Sequence, residues 1–228
     1  MKTMLVLSMG ALLLAGTLSA QTPVPEWQAG VDKMKSLIQT NPAQASEEVG
    51  ELLKGKNKKN VDLVTSVAHV YLDAGKLTEA QEYLAMAKKA NNKDPKVSVL
   101  EGDIALAQKN IGQACQLYEQ AIYFDPNCKE AYLKYAQAYK SASPALAIEK
   151  LEQLKAVDPN CLEADRELAE VYYSSNRFGK AAEMYAKFID TPLATEDDML
   201  KYAFALFLNH DFEKSLQVAQ KGLQKNAR

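Results

Sequence analysis

The chain has 228 residues, of which 47 % are apolar and 25 % are charged, and its net charge at pH 7 is −2. This composition excludes wholesale disorder, and a charge balance without a basic excess argues against a general nucleic-acid-binding protein. Ten glycines and eight prolines are too few for the many turns of an all-β chain. The sequence therefore indicates a globular protein that is not built from strands alone.

The first twenty residues have the features of a secretory signal peptide. Lys2 precedes an apolar run over residues 4–14, and a segment of mostly small residues follows and ends at Ala20. This order predicts cleavage after Ala20 and export of a mature chain that begins at Gln21. The apolar run is too short to cross about 30 Å of hydrocarbon, so no transmembrane segment is expected in the mature chain.

Residues 21–60 predict a helical hairpin that caps one end of a larger helical stack. Residues 24–40 and 43–54 each have a helical pattern, and Pro42 ends one helix and starts the next. The lysine-rich segment 54–60 predicts a solvated connection, and contact with an anionic surface is the alternative.

Two series of small residues recur along the rest of the chain with a period of 33–34 residues. Apolar residues at three- and four-residue spacing around each position predict amphipathic helices. Each period therefore predicts two antiparallel helices that approach closely at the small residues, and successive pairs stack to cover their apolar faces. The first series is Ala68, Gly102, Ala136, Ala169 and Ala203, and the second is Ala80, Ala114, Ala147, Ala181 and Ser215.

This pattern resembles the tetratricopeptide repeat family, whose motif places small residues at fixed positions of a helical pair and proline near its end. Residues Gly102, Ala114, Tyr118, Ala121 and Pro126 match that motif well. The resemblance implies an all-α fold, a right-handed superhelical solenoid of stacked helix pairs. The repeats implied are 61–94, 95–128, 129–161, 162–195 and 196–228.

The three cysteines are expected to remain free thiols. Cys128 and Cys161 follow the same Asp-Pro-Asn tripeptide in neighbouring repeats, and the Asn is expected to cap the next helix. Stacked repeats lie about 10 Å apart, beyond the roughly 7 Å between Cα atoms that a disulfide tolerates. Cys115 belongs to a second helix without a partner at equivalent depth. No cysteine has a second ligand at the spacing of a metal site.

No catalytic or cofactor motif is recognisable in the sequence. His69 and His210 stand several repeats apart, and a Gly-rich phosphate loop or a nucleophile elbow is missing. Most tyrosines occupy positions expected to pack in the core, and Trp27 is expected to fill the apolar end of the capping hairpin. The sequence therefore predicts no enzymatic activity, no cofactor and no metal.

In the family that this chain resembles, the first helix of each pair lines a concave groove that binds ligands. The resemblance implies a groove of mixed charge at one end and apolar character at the other, suited to an extended peptide or a partner helix. The residues implied to form the binding site are His69, Asp73, Asp103, Gln137, Lys140, Arg166, Glu170, Tyr173, Phe204 and Phe207. Beside them the groove would include Thr65, Leu72, Val99, Leu106, Leu133 and Leu200.

The leading hypothesis is an exported, non-enzymatic scaffold or adaptor, periplasmic or extracellular, that binds a protein or peptide and not nucleic acid. One alternative is a component of an envelope assembly or transport complex. Another is an accessory domain of an enzyme that continues beyond Arg228. In the last repeat, Val218, Ala219 and Leu223 form an apolar floor around Gly222, which predicts that this edge docks a further helix or a partner.

Overall fold

The structure is a computed structural model that describes residues 24–226, with side chains to Leu223. The predicted signal peptide therefore lies outside the described residues. Within residues 24–226 the chain forms twelve α-helices and one short 3₁₀ helix, and it contains no strand there. The predicted all-α solenoid of stacked helix pairs is confirmed.

The first helical pair is α1 (Gln28–Leu37) and α2 (Pro42–Leu52). Pro42 starts α2 as predicted, and the Asn41 side chain accepts a hydrogen bond from the Gln44 backbone N–H at 3.2 Å. The prediction of a helix from residue 24 is wrong, because a turn closed by the Gln28 N–H and the Pro25 carbonyl precedes α1. The lysine-rich connection contains the 3₁₀ helix, Gly55–Lys59, and its lysines are exposed.

Five more helical pairs follow, and each predicted repeat interval contains one of them. In each pair we call the earlier helix the first helix and the later one the second helix. The pairs are α3 (Val61–Asp73) with α4 (Leu77–Asn91), α5 (Pro95–Ala107) with α6 (Ile111–Phe124), α7 (Lys129–Tyr139) with α8 (Pro144–Val157), α9 (Leu162–Ser174) with α10 (Phe178–Phe188), and α11 (Glu196–Leu208) with α12 (Phe212–Asn226).

Small residues allow the two helices of a pair to pack closely. Ala68 on α3 and Ala80 on α4 are both fully buried. At Gly102 on α5, an added Cβ would lie only 2.5 Å from Cε1 of Tyr118 on α6. Glycine therefore leaves space for a tyrosine ring at a position where the other repeats have alanine.

The asparagine caps predicted before α7 and α9 are wrong by one residue. The N-cap residues are Cys128 and Cys161, and neither side chain makes a capping hydrogen bond. The backbone N–H of Asn127 instead donates to the Asp125 carboxylate at 2.9 Å, and Asn160 takes part in an equivalent turn. The aspartate rather than the asparagine therefore organises this connection.

Candidate functional site

The predicted groove residues lie on the first helices, and α3, α5, α7 and α9 contact one another in that order. Asp103 on α5 lies at the centre of the polar part. It is 7 % exposed, and it accepts hydrogen bonds from the Tyr118 hydroxyl at 2.7 Å and the Lys134 ammonium at 2.9 Å. His69 Nε2 lies 3.0 Å from the same carboxylate. We call Asp103, Tyr118 and Lys134 the first carboxylate triad.

The first carboxylate triad holds Asp103 in its charged form. Burial by itself would raise the pKa of this carboxyl, but the hydrogen bonds from His69 and Tyr118 and the charge of Lys134 outweigh it. The pKa of Asp103 is therefore held below its ordinary value. Its oxygens are already occupied by partners within the protein, so Asp103 supports the groove wall instead of presenting a free carboxylate.

Glu170 on α9 is the centre of a second, equivalent triad. The Tyr185 hydroxyl donates to Glu170 at 2.7 Å, and the Lys201 ammonium contacts both carboxylate oxygens at 3.0 and 2.8 Å. Burial and the adjoining Glu170 carboxylate raise the pKa of Tyr185, which keeps its hydroxyl protonated as a donor. Neither lysine was predicted from the sequence, although each lies 31 residues after its carboxylate.

Two further predicted residues also pair with the neighbouring repeat. Arg166 on α9 donates from Nε to the buried Asp198 carboxylate of α11 at 3.1 Å. The Gln137 side chain on α7 donates to Glu167 on α9 at 2.8 Å. These contacts and the two triads link successive first helices, so much of the polar chemistry predicted for a ligand instead joins one repeat to the next.

The remaining predicted polar residues and groove positions differ in accessibility. Asp73 is exposed near the end of α3, and Lys140 is partly exposed at the end of α7. Val99 is 1 % exposed and does not reach the groove surface, so its predicted place in the lining is wrong. Thr65 is 4 % exposed and contributes only to the wall of a pocket at the N-terminal end.

That N-terminal pocket has a volume of about 330 Å³ and mixed charge. Trp27 and His69 line it together with Asp62 and Glu130. Lys96, another wall residue, pairs with Asp62. Trp27 packs partly against the N-terminal core, as the sequence predicted, but it also forms part of the groove wall.

Aromatic side chains gather at the C-terminal end of the groove. The ring centroid of Tyr173 lies 5.7 Å from that of Phe178 and 6.4 Å from that of Phe204. Phe207 packs on Phe212 with centroids 5.4 Å apart. We call these five residues the aromatic patch; Phe204 and Phe207 remain 49 % and 51 % exposed. Phe178 and Phe212 were not predicted from the sequence, although each is the first residue of the helix that follows a predicted groove helix.

The structure also locates the other candidate chemical groups. The three cysteines are free thiols, and burial raises the pKa of Cys115 to about 11, which makes it a poor nucleophile. Across residues 24–226, no three His, Cys, Asp or Glu side chains are grouped in a way that could hold a metal ion. No helix in the same range is long and apolar enough to cross a membrane.

A family model described as tetratricopeptide repeat matches residues 67–129 and 137–194, just over half of the chain. The chain belongs to the tetratricopeptide repeat family. No match was found among curated proteins.

Several solved structures share the fold of this tetratricopeptide repeat protein. PilW, described as a widely conserved type IV pilus biogenesis factor, is 17 % identical with a TM-score of 0.67, over 87 % of this chain and 92 % of PilW. The pilF protein of Pseudomonas aeruginosa is 17 % identical with a TM-score of 0.64, over 85 % and 89 % of the two chains. YrrB, described as having an unusual peptide-binding site, is 14 % identical with a TM-score of 0.55, over 77 % and 90 %. At these identities the similarity shows the fold alone.

Proposed function

We propose that this tetratricopeptide repeat protein is an exported, non-enzymatic scaffold that binds a protein or peptide partner in its concave groove. The aromatic patch is the observation that carries the proposal. Phe204 and Phe207 keep about half of their surface exposed beside the rings of their neighbours. A contiguous exposed apolar surface on a folded protein marks a site of interaction.

The polar wall and the apolar end of the groove contribute differently to binding. Along the wall, Asp103 and Glu170 are each held by a tyrosine and a lysine partner, which makes the groove wall rigid. A rigid wall reduces the entropy lost on binding. At the apolar end, each buried large side chain contributes about 1.5–3 kcal/mol. The partner segment is therefore expected to present apolar side chains to the aromatic patch. Nucleic acid is not the expected partner, because the net charge of the chain is −2.

Peptide display on the purified chain from Gln21 to Arg228 tests this proposal. Selected peptides are expected to be rich in apolar residues and to bind at least 10-fold more weakly to Phe207→Ser, because an aromatic anchor carries much of the binding energy of an interface. Tyr123→Ser is the matched control, since Tyr123 is 83 % exposed on the second helix α6. Selection of no peptide, or equal weakening by both substitutions, contradicts the proposal.

Export rests on the signal-peptide features of residues 1–20. We expect the protein in the fraction outside the cytoplasm, with Gln21 at its N-terminus, because signal peptidase cuts after small residues. Cell fractionation with N-terminal sequencing measures both. A cytoplasmic protein that retains residues 1–20 contradicts this part of the proposal.

A role as a fixed component of an envelope assembly or transport complex is the second candidate. It is supported by the shared fold with PilW, which is described as a pilus biogenesis factor and matches over 92 % of its length. Sedimentation of a gently solubilised envelope extract separates the two candidates. A protein found only in a large membrane complex supports this alternative, and a separate soluble pool supports the free scaffold.

A further inference from the structure

The end of the helical stack formed by α11 and α12 presents a second apolar surface, which shares Phe212 with the aromatic patch. Leu200 on α11 is 68 % exposed, and Leu216 and Leu223 on α12 are 61 % and 71 % exposed. Phe212, which is 56 % exposed, lies on the same stripe of α12, because residues four and seven positions apart share a helix face. We call these four residues the C-terminal face.

The C-terminal face corresponds to a surface that every earlier repeat covers. The second helices α4, α6, α8 and α10 each contact the first helix of the following pair. Helix α12 occupies the equivalent position, and within residues 24–226 no helix follows it. The C-terminal face is therefore equivalent to a surface that is buried between repeats four times within the stack.

From these features we infer that the C-terminal face binds the same face of a second copy of this chain. The face has both parts that a self-complementary contact needs. Leu216 is 61 % exposed, and a depression of about 70 Å³, lined in part by Leu223, lies between α11 and α12 against Met199. Gly222 deepens the depression, because it carries no side chain and an added Cβ would lie 3.8 Å from Met199. A two-fold axis brings Leu216 of each copy to the depression of the other.

The apolar area of the C-terminal face is close to what a stable dimer needs. Its four side chains are 56–71 % exposed. An aromatic side chain buries roughly 150–250 Å² and a leucine is near the lower limit, so the four together offer about 400 Å² of apolar surface per copy. A specific interface buries about 800 Å² per partner, of which about 56–58 %, or roughly 450 Å², is apolar.

The opposite end of the stack does not fit the C-terminal face. Helices α1 and α2 expose charged side chains such as Asp32, Lys35 and Glu47. Among the large apolar side chains that the described chain exposes, only Val24 lies at that end. Head-to-tail stacking would bury those charges against leucines without partners, which is unfavourable. Beside the C-terminal face, Lys201 pairs with Asp197 at 2.7 Å.

Sedimentation equilibrium of the chain from Gln21 to Arg228, which contains every described helix, tests this inference. We expect twice the monomer mass at micromolar concentration. Leu216→Lys and Leu223→Lys are each expected to raise the dissociation constant of the dimer by about 100-fold or more, because the symmetry places each substitution in the interface twice. Both side chains are largely exposed, so circular dichroism should show an unchanged fold. Leu146→Lys on α8, at a position 38 % exposed, is the matched control and should remain dimeric.

Two results overturn the inference. One is a monomer at every concentration up to about 100 µM, well above the dissociation constants of specific interfaces. The other is a dimer that neither leucine substitution weakens, which places the contact elsewhere. The groove proposal is tested separately, because the monomeric Leu216→Lys variant should still bind the selected peptides and Tyr173→Ser should remain dimeric.

Discussion

Replacement of Gly102 by alanine tests how closely the two helices of one repeat pack. The added Cβ would lie 2.5 Å from Cε1 and 2.8 Å from Cδ1 of Tyr118, whereas ordinary contacts begin at 3.4 Å. The ring must therefore retreat by about 1 Å to restore a normal van der Waals separation. Tyr118 is fully buried, and its hydroxyl donates to Asp103 at 2.7 Å, so it cannot move without disturbing both the core and the first carboxylate triad.

Two opposing effects determine the stability of the Gly102→Ala variant. Alanine in a helix interior is favoured over glycine by about 1 kcal/mol. Overpacking costs about 1–3 kcal/mol, and the displaced hydroxyl weakens a hydrogen bond to a charged group worth about 1.5–3 kcal/mol. The fourth repeat combines Ala169 with Tyr185, both fully buried, so partial relaxation is possible. We expect the free energy of unfolding to fall by about 1–3 kcal/mol.

Urea denaturation followed by circular dichroism measures this change. Gly50→Ala on α2 is the control, because nothing lies within 4 Å of an added Cβ there, and it should stabilise the protein by up to about 1 kcal/mol. In a Tyr118→Leu background, Gly102→Ala should no longer destabilise, since the first repeat accommodates Ala68 beside Leu84. If Gly102→Ala stabilises the wild-type protein as much as Gly50→Ala does, the two helices are not closely packed at Gly102.

Three further predictions follow from the triads and the thiols. At about pH 7, Asp103→Asn should lower the free energy of unfolding by about 2–4 kcal/mol, because it removes a buried charged acceptor. Since the pKa of Asp103 lies below its ordinary value, the difference in unfolding free energy between the wild type and this variant should have its full size above about pH 4 and should shrink as the pH falls further. If the two urea midpoints differ as much at about pH 3 as at about pH 7, this prediction is contradicted. Tyr185→Phe should cost about 1.5–3 kcal/mol in thermal or urea unfolding, and no measurable loss would show that its hydrogen bond to the carboxylate is unimportant. Peptide mapping without reduction should find all three cysteines unbridged, with Cys128 alkylated first because the other two are buried; an internal disulfide would refute this.

The helical architecture could be predicted because its cause is local and periodic. Small residues every 33–34 positions and apolar residues at helical spacing specify helix pairs that must stack. The start of α1 and the caps of α7 and α9 were misplaced, because several neighbouring residues can end or begin a helix there. At Asp125 and Asn127, both side chains can accept a backbone hydrogen bond, and only the local backbone geometry selects the aspartate.

The groove could be predicted only in part. Sequence spacing placed Asp103 and Glu170 on first helices, but it could not show that their carboxylates turn toward tyrosine and lysine side chains. Those partners lie 15 and 31 residues away, and their approach depends on how one repeat stacks on the next. The aromatic end was predicted through Tyr173, Phe204 and Phe207, because large apolar residues at groove positions of consecutive repeats are visible in the sequence.

The central claim, that the aromatic patch holds a partner protein, is tested most directly by site-specific photo-crosslinking in cells that produce the protein. A photoreactive phenylalanine analogue at Phe207 samples the groove, and the same analogue at Tyr123 samples the outer helices. We predict from position 207 a covalent adduct of one defined mass with a protein or peptide other than a second copy of this chain, weakened by Phe204→Ser, and no such adduct from position 123. Absence of an adduct from position 207, or the same adducts from both positions, would contradict the claim.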